Sequence, residues 1–162
     1  MLMKGYFKKN RMKIANIKDV FFDLDHTLWD FDKNSELTFE VIFKRIHPTI
    51  EISAFIEKYV PINQAFWKLY QYDKITHEEL RYNRLKQSFD AINYIISDEE
   101  IETIAQEYIR LLPESNCLFE GTFEVLDYLS QKYKLHIITN GFAEVQFKKI
   151  RIWQKHKKET VS

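Results

Sequence analysis

Asp23 and Asp25 flank Leu24 and run on into His26-Thr27, a pair of carboxylates in a pattern that chemistry can use. They follow directly on Val20-Phe21-Phe22. That apolar run is short and lacks helical periodicity, so it reads as a strand buried on both faces of a parallel sheet. Acids at the carboxyl end of such a strand stand where open α/β sheets bind ligands. Residues two apart in extended chain point to the same side, so both carboxylates are expected to face one substrate. A free aspartate, with a pKa of about 3.9, is ionised at neutral pH. It can attack phosphorus without a base to activate it, giving an aspartyl-phosphate. A second carboxyl group beside it can protonate the leaving oxygen and then take a proton from the hydrolytic water. Two anions facing a phosphate need a cation between them, and an oxygen-rich site of this kind suits Mg²⁺. Thr27 is placed to hold the following loop through its side chain.

Taken alone, D-x-D-x-T is a short pattern, met also as two solvated acids and a turn-forming threonine. A second segment narrows the reading. Leu135-His136-Ile137-Ile138 is another apolar strand, and it ends in Thr139-Asn140-Gly141-Phe142. By itself Thr-Asn-Gly after a strand is ordinary turn chemistry.

Together the two segments resemble the haloacid dehalogenase-like hydrolase superfamily. The resemblance implies an α/β fold and a Mg²⁺ cofactor. It implies that Asp23 is the nucleophile and a metal ligand. Asp25 would be the general acid/base and bind the metal through its backbone carbonyl. Thr139, helped by the backbone around Asn140 and Gly141, would bind the phosphate. A finer resemblance, to the pyrimidine 5′-nucleotidase branch, rests on Asp25 to Asp32, Phe66 to Tyr70, Ile75-Thr76, Glu79-Leu80, Arg84 and Thr139 to Phe142. It implies a small phosphate ester as substrate, a nucleoside 5′-monophosphate. Read as residues alone, Trp67 and Tyr70 at helical spacing suit a core, and Arg84 suits a solvated helix face.

The elements that must position these groups are largely helical. Asn34 or Ser35 is a candidate cap for a helix carrying Leu37, Val41, Ile42 and Ile46, and Ser53 for a second that Pro61 interrupts. Thr76 with Glu79 and Ser97 with Glu100 form capping boxes. After the second, Ile101, Ile104, Ala105, Tyr108 and Ile109 share a helix face that ends before Pro113. Gly121 to Lys132 reads as a helix with Val125, Leu126 and Leu129 inward, leading into the Lys134–Thr139 strand. The expected fold is therefore a partial Rossmann-like parallel sheet with an inserted all-helical cap. Residues 1–11 are expected to be a disordered extension, with Met12 a possible start. Residues 12–32 and 115–150 are expected to form an incomplete core, 33–114 the cap and 151–162 a basic tail of non-native sequence.

Only 23 residues follow Thr139. They lack the family's third motif, a lysine, and its fourth, acids after a further strand. The sequence thus predicts a chain truncated after the second motif, inactive or weakly active, with the first strand left as an open sheet edge. Lys148, Lys149 and Lys155 are the nearest stand-ins for the lysine. The alternative is a non-enzymatic protein that binds a nucleotide or partner on a fragment of the fold. A helical interaction module with an accidental D-x-D-x-T is a third reading.

Composition bounds the rest. The 162 residues are 45% hydrophobic and 15% aromatic, enough for a real core. Lys and Arg number 24 against 24 Asp and Glu, which argues against nucleic acid as a partner. The single Cys117 offers no disulfide framework and suits a cytoplasmic setting. No run approaches the ~18 apolar residues of a membrane span, and Met1 to Asn10 lacks the apolar centre of a secretory signal.

Overall fold

The structure, a computed structural model, describes residues 16–160, with side chains as far as Trp153. The expectations for residues 1–11, for Met12 as the start and for the Lys155 side chain lie outside the described residues. Two five-residue strands, β1 (Asp19–Asp23) and β2 (Lys134–Ile138), pair in parallel. Asp19 lies beside Lys134, and Asp23 beside Ile138. Parallel neighbours need a long crossover. Here it runs through α1 (Phe31–Ile46), α2 (Ile52–Gln71), α3 (His77–Ala91), α4 (Asp98–Leu111), a 3₁₀ turn (Leu112–Glu114) and α5 (Thr122–Ser130). After β2 the chain enters α6 (Ala143–Thr160). The expected α/β architecture, with helices inserted between two parallel strands, is what the chain adopts.

Both capping boxes form. Thr76 Oγ1 accepts from the Glu79 amide while Glu79 accepts from the Thr76 amide, and Ser97 and Glu100 repeat the exchange. Ile101, Ile104, Ala105 and Tyr108 are buried, as the period predicts. Two other caps differ from the sequence reading. Asp30, not Asn34 or Ser35, caps α1 by accepting from the Lys33 amide. Asn34 is buried because its amide works elsewhere: it donates to the Asp30 and Cys117 carbonyls and accepts from the Cys117 amide. Glu51, not Ser53, caps α2 through the amides of Ser53 and Ala54. Nor does Pro61 interrupt α2. It forfeits one hydrogen bond, which burial of Phe55 and Tyr59 before it and Phe66 after it offsets.

The centre of the helical layer is aromatic. Phe39 has no exposed surface and meets four rings, those of Phe43, Phe55, Tyr59 and Tyr108, at 4.6–5.4 Å between centroids. Val125 departs from its expected inward position: only Leu126 of that trio is fully buried. The nine-residue α5 covers one flank of a narrow sheet and has a single inward line. β1 departs too. It is not buried on both faces; Phe21 is 63% exposed and stacks on His136 across the strands. Asp19, Phe21 and Asp23 share one face of β1, and all three are exposed.

Arg45 and Arg110 both bond Glu107 and hold its carboxyl down at about 2. A depressed carboxylate stabilises the fold above its ordinary range, and that contribution fades as pH falls from the ordinary range toward about 2. Glu107→Gln should therefore lower the urea midpoint slightly at about pH 7 and not at about pH 2, the surface position keeping the effect small.

Candidate active site

The loop after β1 is closed by its own backbone. The amides of Thr27, Leu28 and Trp29 all donate to the Leu24 carbonyl, and His26 N donates to Trp29 O, with His26 at φ +60°. Thr27 was expected to hold this loop through its side chain; the bonds that close it are backbone ones. The loop is also stitched to the segment before α5. Trp29 Nε1 donates to Asn116, Phe119 N and the Thr122 hydroxyl donate to Leu28 O, and Asp30 N donates to Cys117 O. These bonds fix Asp23 and Asp25 at the carboxyl end of β1. The parallel register then brings Thr139 alongside.

Asp23, Asp25, Thr139 and Asn140 line one open cavity of about 420 Å³. The structure thus brings together all four residues singled out from the sequence. The opposite wall is the end of α2, where Asn63, Gln64, Trp67, Lys68 and Gln71 lie on one helical face. Phe142, just past the second strand, closes against that helix. Its ring lies 5.1 Å from Trp67, 6.2 Å from Tyr70 and 4.1 Å from His77.

Asp23 is exposed and Asp25 is not. Asp23 Oδ1 accepts the Leu24 amide at 2.9 Å. Asp25 is held at both oxygens: Lys149 Nζ donates to Oδ1 at 2.7 Å and Gln146 Nε2 to Oδ2 at 2.8 Å. Gln146 Nε2 also reaches Thr139 Oγ1 at 2.5 Å, so one amide ties the two motifs together. Thr139 Oγ1 accepts from Gly141 N as well, which leaves its own proton to donate. Lys149 is 2% exposed and stands 3.6 Å over the Trp29 ring. Burial pushes its ammonium pKa down, and Asp25 pulls it partly back.

Arg84 corrects the sequence reading. It is 2% exposed rather than solvated, donates to Asn63 Oδ1 at 2.9 Å, lies over the Tyr108 ring and leaves Nε without a partner. Through Asn63 it is one residue removed from the cavity. Lys149 appeared in the sequence only as one of three stand-in lysines. Gln146 was missed, though it shares a helix face with Lys149 at spacing three.

A side chain at Gly141 would collide with Gln146: an added Cβ falls 2.4 Å from Nε2. Gly141→Ala should push that amide off Asp25 and Thr139 at a cost of about 1–3 kcal/mol, the range for buried polar groups losing a partner. Thermal melting checks this.

Among the described residues, no group of three or more His, Cys, Asp or Glu could hold a metal ion. The donors that do line the cavity are oxygen-rich and fit Mg²⁺ in kind, since that ion takes few protein carboxylates and keeps its waters. No helix of the described residues is long and apolar enough to cross a membrane.

A family model described as haloacid dehalogenase-like hydrolase matches residues 17–154. The chain belongs to the haloacid dehalogenase-like hydrolases. Pyrimidine 5′-nucleotidase PynA of Streptococcus pneumoniae is 32% identical to this haloacid dehalogenase-like hydrolase over 130 residues, covering 80% of the chain and 53% of PynA. The putative HAD-hydrolase YfnB of Bacillus subtilis is 29% identical over 136 residues, covering 83% of the chain and 55% of YfnB. The crystal structure of YfnB bound to magnesium superposes with a TM-score of 0.73 at 26% identity, over 85% of this chain and 60% of that one. This haloacid dehalogenase-like chain therefore spans about half the length of the curated relatives it matches.

Proposed function

We propose that the cavity is the site of a Mg²⁺-dependent phosphatase for small phosphate esters, nucleoside 5′-monophosphates foremost. The observation that carries this reading is the convergence of Asp23, Asp25, Thr139 and Asn140 on one cavity wall. Asp23, exposed at the end of β1, attacks phosphorus and forms the aspartyl-phosphate. Thr139 donates its free proton to a phosphoryl oxygen, with the Asn140 and Gly141 amides beside it. Asp25 protonates the leaving oxygen and later takes a proton from water. Asp23 through its carboxylate and Asp25 through its backbone carbonyl would hold the metal, which when bound neutralises charge between carboxylate and phosphoryl group. The helices α1 to α4 act as a cap, and the α2 face carrying Asn63, Gln64, Trp67 and Gln71 offers amides and a ring to a nucleobase. The pyrimidine 5′-nucleotidase names of two relatives support that choice.

One observation favours a second reading, binding without turnover. Both Asp25 oxygens already accept hydrogen bonds, from Lys149 and Gln146. Each oxygen keeps a second lone pair, so a proton bound for a leaving oxygen has to sit beside one of these donors. Asp23 and Asp25 are also the two acids on the cavity wall. Slow release is therefore expected from this chain by itself.

One experiment separates the readings. The chain is titrated with UMP and with AMP in Mg²⁺ while inorganic phosphate is followed. Binding with release supports the phosphatase, and binding without release the nucleotide-binding protein. No binding of either nucleotide sinks both.

A further inference from the structure

A buried ammonium is costly unless paired, and the Lys149 partner is a residue the chemistry needs. Nζ lies 2.7 Å from Asp25 Oδ1, 3.6 Å over Trp29 and 5.5 Å from the Phe31 ring. The side chain is fully enclosed, reaching the site from α6 behind the cavity wall. The pair is neutral as a unit. Beside it stands Asp23, exposed, its Oδ1 accepting the Leu24 amide and no ammonium among the described residues paired with it. As folded, the site therefore shows an incoming ion one free carboxylate rather than two.

We propose that Lys149 is a positioning residue that serves as the resident counter-charge of the site, masking Asp25 so that Asp23 alone meets a metal or phosphoryl group. This rests on the phosphatase reading above. The ammonium does two things at once. It fixes the Asp25 carboxylate against Trp29, and it sets the balance of charge that decides between cation and anion. Removing it unmasks a second carboxylate, which favours a divalent cation and repels phosphate. Removing the Asp25 charge instead unmasks the ammonium and reverses both effects. A residue that merely filled space would shift neither ion in a charge-dependent direction.

The test is calorimetric titration of the whole chain with MgCl₂ and, separately, with inorganic phosphate. It compares wild type, Lys149→Met, Asp25→Asn and the double variant. Methionine keeps the length and apolar stem of lysine while removing its charge. Lys149→Met is expected to tighten Mg²⁺ by about tenfold or more and to weaken phosphate, since charges at such range interact strongly even at intermediate dielectric. Asp25→Asn is expected to do the opposite, and the double variant to return close to wild type.

Unchanged or weaker Mg²⁺ binding in a cooperatively melting Lys149→Met overturns the proposal. So does a fall in both affinities together. If Lys149→Met does not fold by itself, Mg²⁺ present during refolding must restore a cooperative melt; failure to do so also overturns it. Mg²⁺ binding by Lys149→Met alone, with wild type silent, supports it. Silence from all four proteins toward both ions removes the phosphatase reading and this inference with it. Wild-type binding that Lys149→Met leaves unchanged removes only the inference.

Discussion

Asp23→Asn should leave the fold intact and take Mg²⁺-dependent phosphate release to the uncatalysed level. Asparagine matches aspartate in shape, and its side-chain oxygen can still accept the Leu24 amide. Asp23 is exposed at the end of β1, so the stability change should stay within the ~0.5 kcal/mol usual for surface positions. The effect on chemistry is of another order. Removing the nucleophile of a serine protease costs on the order of 10⁶-fold, and the amide that replaces this carboxylate cannot form an acyl-phosphate. The substitution also takes away the one cavity carboxylate that no ammonium masks among the described residues. Any rise in Tm with Mg²⁺, which reflects binding to the folded state, should vanish with it. Phosphate release above a tenth of the wild-type rate would place the nucleophile elsewhere.

Phe39→Ala should be among the most damaging of the single core truncations. The ring is fully enclosed and touches four aromatic neighbours drawn from α1, α2 and α4. A phenylalanine-to-alanine change in a core costs about 3–5 kcal/mol, against a total stability of about 5–15 kcal/mol. For a chain of this length that is a fall in Tm of roughly 6–20 °C. Phe39→Leu should recover much of it, since volume is largely kept. A loss under about 1 kcal/mol for Phe39→Ala, read from urea unfolding, would mean that the helical layer does not depend on this cluster.

What the sequence made legible was local. Asp23-Leu24-Asp25 and the Thr139 turn could be read because each follows a short apolar strand. The boxes at Thr76 and Ser97 could be read because a cap is decided within four residues. What escaped depended on partners far along the chain. Asn34 looked like a cap because asparagine favours that position, yet Cys117 claims its amide. Arg84 looked solvated because no local signal reports that Asn63 and Tyr108 enclose it. Lys149 could be suspected from its type, but its pairing with Asp25 rather than Asp23 is set by how α6 docks. Phe21 followed a pattern of burial that needs a layer on each side, and the face of β1 that carries it is exposed along its length.

The stitching of the first loop has a consequence for the order in which the molecule assembles. Helices form from neighbours in sequence, on the microsecond scale. The site does not: Asn34 must find Cys117, 83 residues on, and Asp25 must find Lys149, 124 residues on. Closing loops of that length slows the step that needs them. A chain whose helices have formed can therefore still lack an assembled site.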